Sequence, residues 1–317
     1  MADLAATSVV YATLPSLAVP HFLAPTIVHA AQRTREHLLI VLLADLFDVD
    51  HGISPTAAWS DVQQLLTFVY VQATKVAQDM DRLLMQVDVL LQGPSDAPPA
   101  PLLPPSVVFR VEGDSAPLPP FLASVPQETL PRSPHPPPAP ADPAAPREPP
   151  APPRFPVVAL GGTFDHLHAG HKILLSMAAW IASEKLIVGI TDDALLTRKT
   201  NAHVLESLAQ RTAAVRAFLT AFAPRLAADI VPISDVYGPT GWDANIQALV
   251  VSKETASGAA AIATHRAAHA LPPLTTFTID VISATSTNLS DADVELLKQT
   301  KMSSTYIREW IVATGQQ

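Results

Sequence analysis

Cysteine is absent from all 317 residues. That excludes disulfides, zinc–thiolate sites, iron–sulfur clusters and a thiol nucleophile. Positive charge is scarce: 20 Lys and Arg stand against 29 Asp and Glu, a formal net charge of −9. An acidic chain without a basic run is a poor fit for non-specific nucleic-acid binding. The longest strongly apolar run, residues 37–47, is about half of the roughly 20 residues that a spanning helix needs. No basic residue precedes Arg33. The positive n-region of a secretory signal and the early arginines of a transit peptide are therefore missing. These absences predict a cytoplasmic protein with no membrane segment and no nucleic-acid partner.

Proline, by contrast, is abundant and unevenly placed. Of 32 prolines, 23 lie between Pro94 and Pro156. Proline fixes φ and has no N–H to give to a helix or a sheet, so the densest stretch, residues 133–156, reads as an extended spacer. A ligand for a proline-binding module is the second reading of the same composition. The chain then divides into an N-terminal α/β domain (1–112), a Pro-rich linker (113–155) and a second domain (156–317). In the first, the β-branched runs 67–72 and 87–91 predict strands, with Val76, Met80, Leu83 and Leu84 at helical spacing between them. Residues 105–111 predict one more strand. This domain has no Gly-rich turn and no catalytic cluster.

The second domain alternates apolar strands with helices. Strands are predicted at 156–160, 185–191, 229–233, 247–251 and 276–282. Helices are predicted at 171–182, 205–222, 255–270, 291–298 and 304–313. This alternation implies a Rossmann-like parallel sheet covered on both faces, with ligands beyond the carboxyl ends of its strands.

The first of these strands runs into Gly161-Gly162-Thr163-Phe164-Asp165-His166-Leu167-His168-Ala169-Gly170-His171. Glycines let backbone approach a ligand closely, and the following helix offers unpaired N–H groups and a positive dipole end. His168 and His171, three apart, can face one polyphosphate and stabilise charge that develops on it. Three histidines within six residues also admit a metal site, and the turn admits a purely structural role; a dinucleotide fingerprint would need G-x-G-x-x-G, which is not what stands here. Near the C-terminus, Lys301, Ser303, Ser304, Thr305 and Arg308 form a second cluster, small hydroxyls at a helix start flanked by cations.

Residues 162–171 match every position of the G-T-F-D-x-x-H-x-G-H signature, and the segment resembles the nucleotidyltransferase superfamily. The Lys301–Arg308 segment resembles that superfamily's K-M-S-K-S-like motif. With Lys199 after the second strand, residues 235–240 (DVYGPT) after the third and Ser252-Lys253-Glu254-Thr255 after the fourth, residues 156–317 look like a eukaryotic-type phosphopantetheine adenylyltransferase. The resemblance implies ATP and 4′-phosphopantetheine as substrates, dephospho-CoA and pyrophosphate as products, and Mg²⁺ arriving with ATP. It implies His168, His171 and Lys199 as catalytic residues. Gly161, Gly162, Thr163, Phe164, Ser252, Lys253, Glu254, Lys301, Ser303, Ser304, Thr305 and Arg308 join the histidines on the nucleotide, and Thr163 and Lys199 hold the acceptor. No protein metal site is expected. No G-x-x-x-x-G-K-[ST] is present, so a fused dephospho-CoA kinase is not expected either. A cytidylyltransferase of lipid-headgroup synthesis is the alternative within the superfamily. A scaffold for partner enzymes of coenzyme A synthesis is the alternative from another class.

Overall fold

The computed structural model describes residues 4–48, 53–94, 96, 104–134, 152–279, 295–296, 300 and 303–316. They form two compact units, each carrying one five-stranded sheet. The first unit contains β1 (Ala5–Thr13), α1 (Ala24–Arg33), β2 (Thr34–Leu43), α2 (Trp59–Asp79), β3 (Gln86–Gln92), β4 (Val107–Val111) and β5 (Gln127–Leu130). The second, which also takes in the segment Ser54–Trp59, contains β6 (Phe155–Gly162), α3 (Ala169–Ile181), β7 (Ala182–Thr191), α4 (Leu208–Phe222), β8 (Ala227–Ile233), β9 (Ala248–Ser252), α5 (Ala256–Ala268), β10 (Thr275–Ile279) and α6 (Ser304–Thr314).

All described strand pairs are parallel. Central parallel strands are covered on both faces, which is why Leu38–Leu43 of β2 and Leu186–Ile190 of β7 read as unbroken apolar runs. The orders are β3-β2-β1-β4-β5 and β10-β9-β6-β7-β8, so both units share one topology. In each, the first helix passes straight into the second strand, at Arg33–Thr34 and at Ile181–Ala182. In each, the order reverses beside the first strand, between β1 and β4 or between β6 and β9. Such a reversal opens a crevice at the carboxyl ends of the two strands.

Two expectations for the first unit change. Residues 67–72 are helical, inside α2, and residues 65–71 are all buried. A helix covered on every side shows no apolar stripe, so its β-branched run imitates a strand. The stretch from 113 onward is also not all spacer: β5 pairs in parallel with β4, and Leu122 just before it is fully buried. β1, whose Thr7-Ser8 interrupts the apolar run, was not expected. The strand at 87–91 and the one ending at Val111 are present as β3 and β4. In the second unit every expected element within the described residues is found. The expected helix at 291–298 and residues 280–282 of the last strand lie outside them, apart from residues 295–296. Among the described residues, no helix is long and apolar enough to cross a membrane.

Candidate active site

β6 ends at Gly162 and the chain turns into α3 within six residues. The turn is tight: Phe164 and His166 both take left-handed backbone, at φ 54° and 44°. A Cβ on Gly162 would stand 3.2 Å from the Phe164 ring, so glycine is what lets that ring fold inward. Phe164 is fully buried and its centroid lies 5.2 Å from that of His171. It was expected on the nucleotide; the structure makes it the floor on which His171 rests.

His168 is the N-cap of α3, and His171 follows in the first turn. Their rings stack, with centroids 3.8 Å apart and planes at 26°. Neither Nδ1 has a hydrogen-bond partner, although both atoms are buried. Desolvation holds His171 down at a pKa of about 3. His168 is also pushed well down, by desolvation first and then by His171, Lys172 and His166. Both imidazoles are therefore neutral at pH 7, each with one N–H to donate. Two buried, unpartnered ring nitrogens at the positive end of a helix make a site for an anionic ligand.

The loops around the crevice come from the sheet register. β6 pairs with β9 so that Leu160 meets Val250, which sets Ser252 level with Gly162. Ser252 and Thr255 hold their turn by reciprocal bonds of 3.1 Å, leaving Lys253 and Glu254 exposed. On the other side of β6, β7 leads to the turn that carries Lys199, an exposed side chain with no partner among the described residues. Lys199 and the Ser252–Thr255 turn thus follow strands on opposite sides of β6.

Arg211 on α4 had no place in the sequence reading. It is fully buried and donates through Nη1 to the carbonyls of Thr163 (2.7 Å) and Thr191 (2.9 Å), through Nε to Glu206 (3.0 Å), and through Nη2 to the Asp193 carboxylate. It ties the carboxyl ends of β6 and β7 together. The bond to the Thr163 carbonyl anchors the start of the His loop to α4. The helical spacing of Arg211 with the apolar Val215 and Phe218 was the signal for it.

The C-terminal cluster departs from expectation. Ser303 caps α6, accepting from the Tyr306 amide at 3.2 Å. Ser304 Oγ donates to the Asp165 carbonyl at 2.8 Å. Thr305 Oγ1 accepts from Arg308 Nη2 at 3.3 Å. Arg308, expected to face a phosphate, is 2% exposed and turned inward onto the buried Asp165 carboxylate. The geometry of a helix explains it: position 308 lies one turn on from Ser304, on the face that packs toward the His loop. Lys301 lies outside the described residues.

Among those residues one group could offer three metal-ligand atoms: Asp165, His166 and Glu206. Several of its atoms already have protein partners. Asp165 takes Arg308 and the Glu206 amide (2.9 Å), Glu206 takes the His166 amide (2.8 Å), and His166 Nε2 meets the Val204 carbonyl (2.9 Å).

Residues 159–310 match the cytidylyltransferase-like family model. A Saccharomyces cerevisiae protein named phosphopantetheine adenylyltransferase is 40% identical over 157 residues, 48% of this chain and 52% of that one. An uncharacterised Schizosaccharomyces pombe protein is 42% identical over 154 residues, 48% of this chain and 47% of its own length. A phosphopantetheine adenylyltransferase of Methanopyrus kandleri is 36% identical over 129 residues, 41% of this chain and 81% of that protein. The chain thus spans about half the length of the two yeast relatives and most of the archaeal one. Because the archaeal relative is 36% identical and is covered over 81% of its own length, this chain belongs to the phosphopantetheine adenylyltransferase family.

Proposed function

We propose that the chain transfers the adenylyl group of ATP to 4′-phosphopantetheine, giving dephospho-CoA and pyrophosphate. The observation that carries this reading is the pair of neutral, stacked histidines with unpartnered Nδ1 atoms at the start of α3. The names of the relatives supply the substrates. An oxygen of the acceptor phosphate bonds to the α-phosphorus of ATP. The bond from that phosphorus to the bridging oxygen breaks, and pyrophosphate leaves with the electron pair. The acceptor phosphate is already ionised, so no strong base is needed. Positioning and stabilisation of developing charge do the work.

In this reading His168 and His171 donate N–H groups to the reacting phosphates from a site without competing protein partners. Lys199 holds the acceptor phosphate as a point charge. The Ser252–Thr255 turn shapes the nucleotide side, and the α6 start with Ser303, Ser304 and Thr305 borders the leaving pyrophosphate. In the same reading Asp165 serves Arg308, while Mg²⁺ enters with ATP as part of the substrate. When bound it neutralises phosphate charge.

The test is to incubate the protein with ATP or CTP and a panel of phosphorylated acceptors and to quantify pyrophosphate. ATP with 4′-phosphopantetheine should give release at least tenfold above every other pair, about the discrimination that one or two lost contacts produce. Release with CTP and a headgroup phosphate, and none with ATP, would instead establish the cytidylyltransferase reading.

A further inference from the structure

Arg308 and Asp165 are 143 residues apart in sequence and paired in the interior of the second unit. Asp165 is fully buried and Arg308 is 2% exposed. All three guanidinium nitrogens are in use. Nη1 donates to the Asp165 carboxylate, Nε to the Thr200 carbonyl at 2.8 Å, and Nη2 to Thr305 Oγ1 at 3.3 Å. Thr200 directly follows Lys199, and Thr305 is in the first turn of α6. Asp165 belongs to the His loop, and its carbonyl accepts Ser304 Oγ at 2.8 Å. One side chain therefore joins three separate segments, each of which carries residues assigned above to a phosphate.

From this geometry we infer that Arg308, with Asp165 as its partner, is the positioning residue that holds the His loop, the Lys199 turn and the start of α6 in one arrangement. It serves both substrates at once and touches neither. The inference rests on the adenylyl-transfer reading for its kinetic consequence, but its structural content is independent of it. The fork of a guanidinium suits this role. Its donors point in fixed directions in one plane and reach three acceptors, which a lysine cannot do. A buried carboxylate keeps the fork turned inward, because leaving either charge alone in the interior is costly.

The experiment compares the full chain with Asp165→Asn, Arg308→Lys, Arg308→Met and the double variant Asp165→Asn/Arg308→Met. Initial rates are measured with each substrate varied, alongside thermal unfolding and amide hydrogen exchange at residues 196–200 and 303–308. Arg308→Lys keeps the charge, and the double variant removes both members, so a folded protein is available even if one single substitution unfolds it.

Each variant should raise KM for ATP and for the acceptor together and lower kcat/KM by about 10²-fold, the scale of an ångström-sized misplacement. Exchange should quicken at both segments. The double variant should regain thermal stability yet stay as slow as the singles, since the pair acts as a unit. A purely structural pair would regain activity with stability, and that result overturns the inference. So does a rise in KM for ATP alone in the Arg308 variants with Asp165→Asn near wild type, which would make Arg308 a phosphate contact. If the wild-type chain shows no turnover, the adenylyl-transfer reading fails, and exchange at the two segments still decides this one. Faster exchange at both supports the tie, whereas unchanged exchange at either removes it.

Discussion

The two histidines make stability depend on pH in a way that can be measured apart from catalysis. In the unfolded chain each ring titrates near 6.5. In the folded protein desolvation pushes His171 down to about 3 and His168 in the same direction. Between these values the unfolded state binds protons that the folded state refuses, so stability falls as pH drops below 6.5 and is restored as pH rises. For one ring held near 3, going from pH 7 to pH 5 removes about 2 kcal/mol by this linkage. Two rings remove at most about 4 kcal/mol, and the partly exposed edges of both side chains bring the sum toward the lower figure. That is a drop of roughly 5–15 °C in the unfolding temperature of a unit of this size. All four tryptophans (Trp59, Trp180, Trp242 and Trp310) fall in the second unit, so their fluorescence reports its unfolding. The assay is urea and thermal unfolding at pH 7 and pH 5 for the wild type and for His168→Gln/His171→Gln. The wild type should lose about 2–4 kcal/mol more than the variant over that interval. Equal losses would mean that the rings are solvated and carry ordinary pKa values, and the argument for a desolvated phosphate site would go with them.

Other expectations follow from single residues. His171→Ala should lower kcat by about 10²–10³-fold, the loss of one transition-state donor, with tryptophan fluorescence unchanged in the native protein. Lys199→Ala should raise KM for 4′-phosphopantetheine far more than KM for ATP and leave kcat nearly intact, which steady-state kinetics with each substrate varied would read. Arg198→Ala, an exposed neighbour with no assigned contact, should change either KM by less than about twofold. Arg211→Met should destabilise the second unit by about 3 kcal/mol in urea titrations, because it removes the donor to the Thr163, Thr191 and Glu206 carbonyls.

Much of the second unit was legible because its information is local. A strand, a glycine turn and a helix start are consecutive in residues 155–171, so the spacing of Gly162, His168 and His171 already places both histidines at the helix start. Apolar runs alternating with helical periods point to a parallel sheet, since strands covered on both faces read that way. The same reasoning misread α2, where burial on every side erased the helical period, and it passed over β5, whose four residues become a strand only by pairing with β4. The tertiary structure alone decided how the buried charges are used. Nothing near Arg308 in sequence says whether it faces a phosphate or the interior. That depends on Asp165 being delivered, desolvated, to the end of its side chain by a different part of the fold. Arg211 is the same case, a helix residue whose acceptors are carbonyls at two strand ends. A sequence pattern records what neighbours along the chain prefer. The partner of a buried charge is set by which distant groups share its low-dielectric surroundings, and that is known only once the chain has folded.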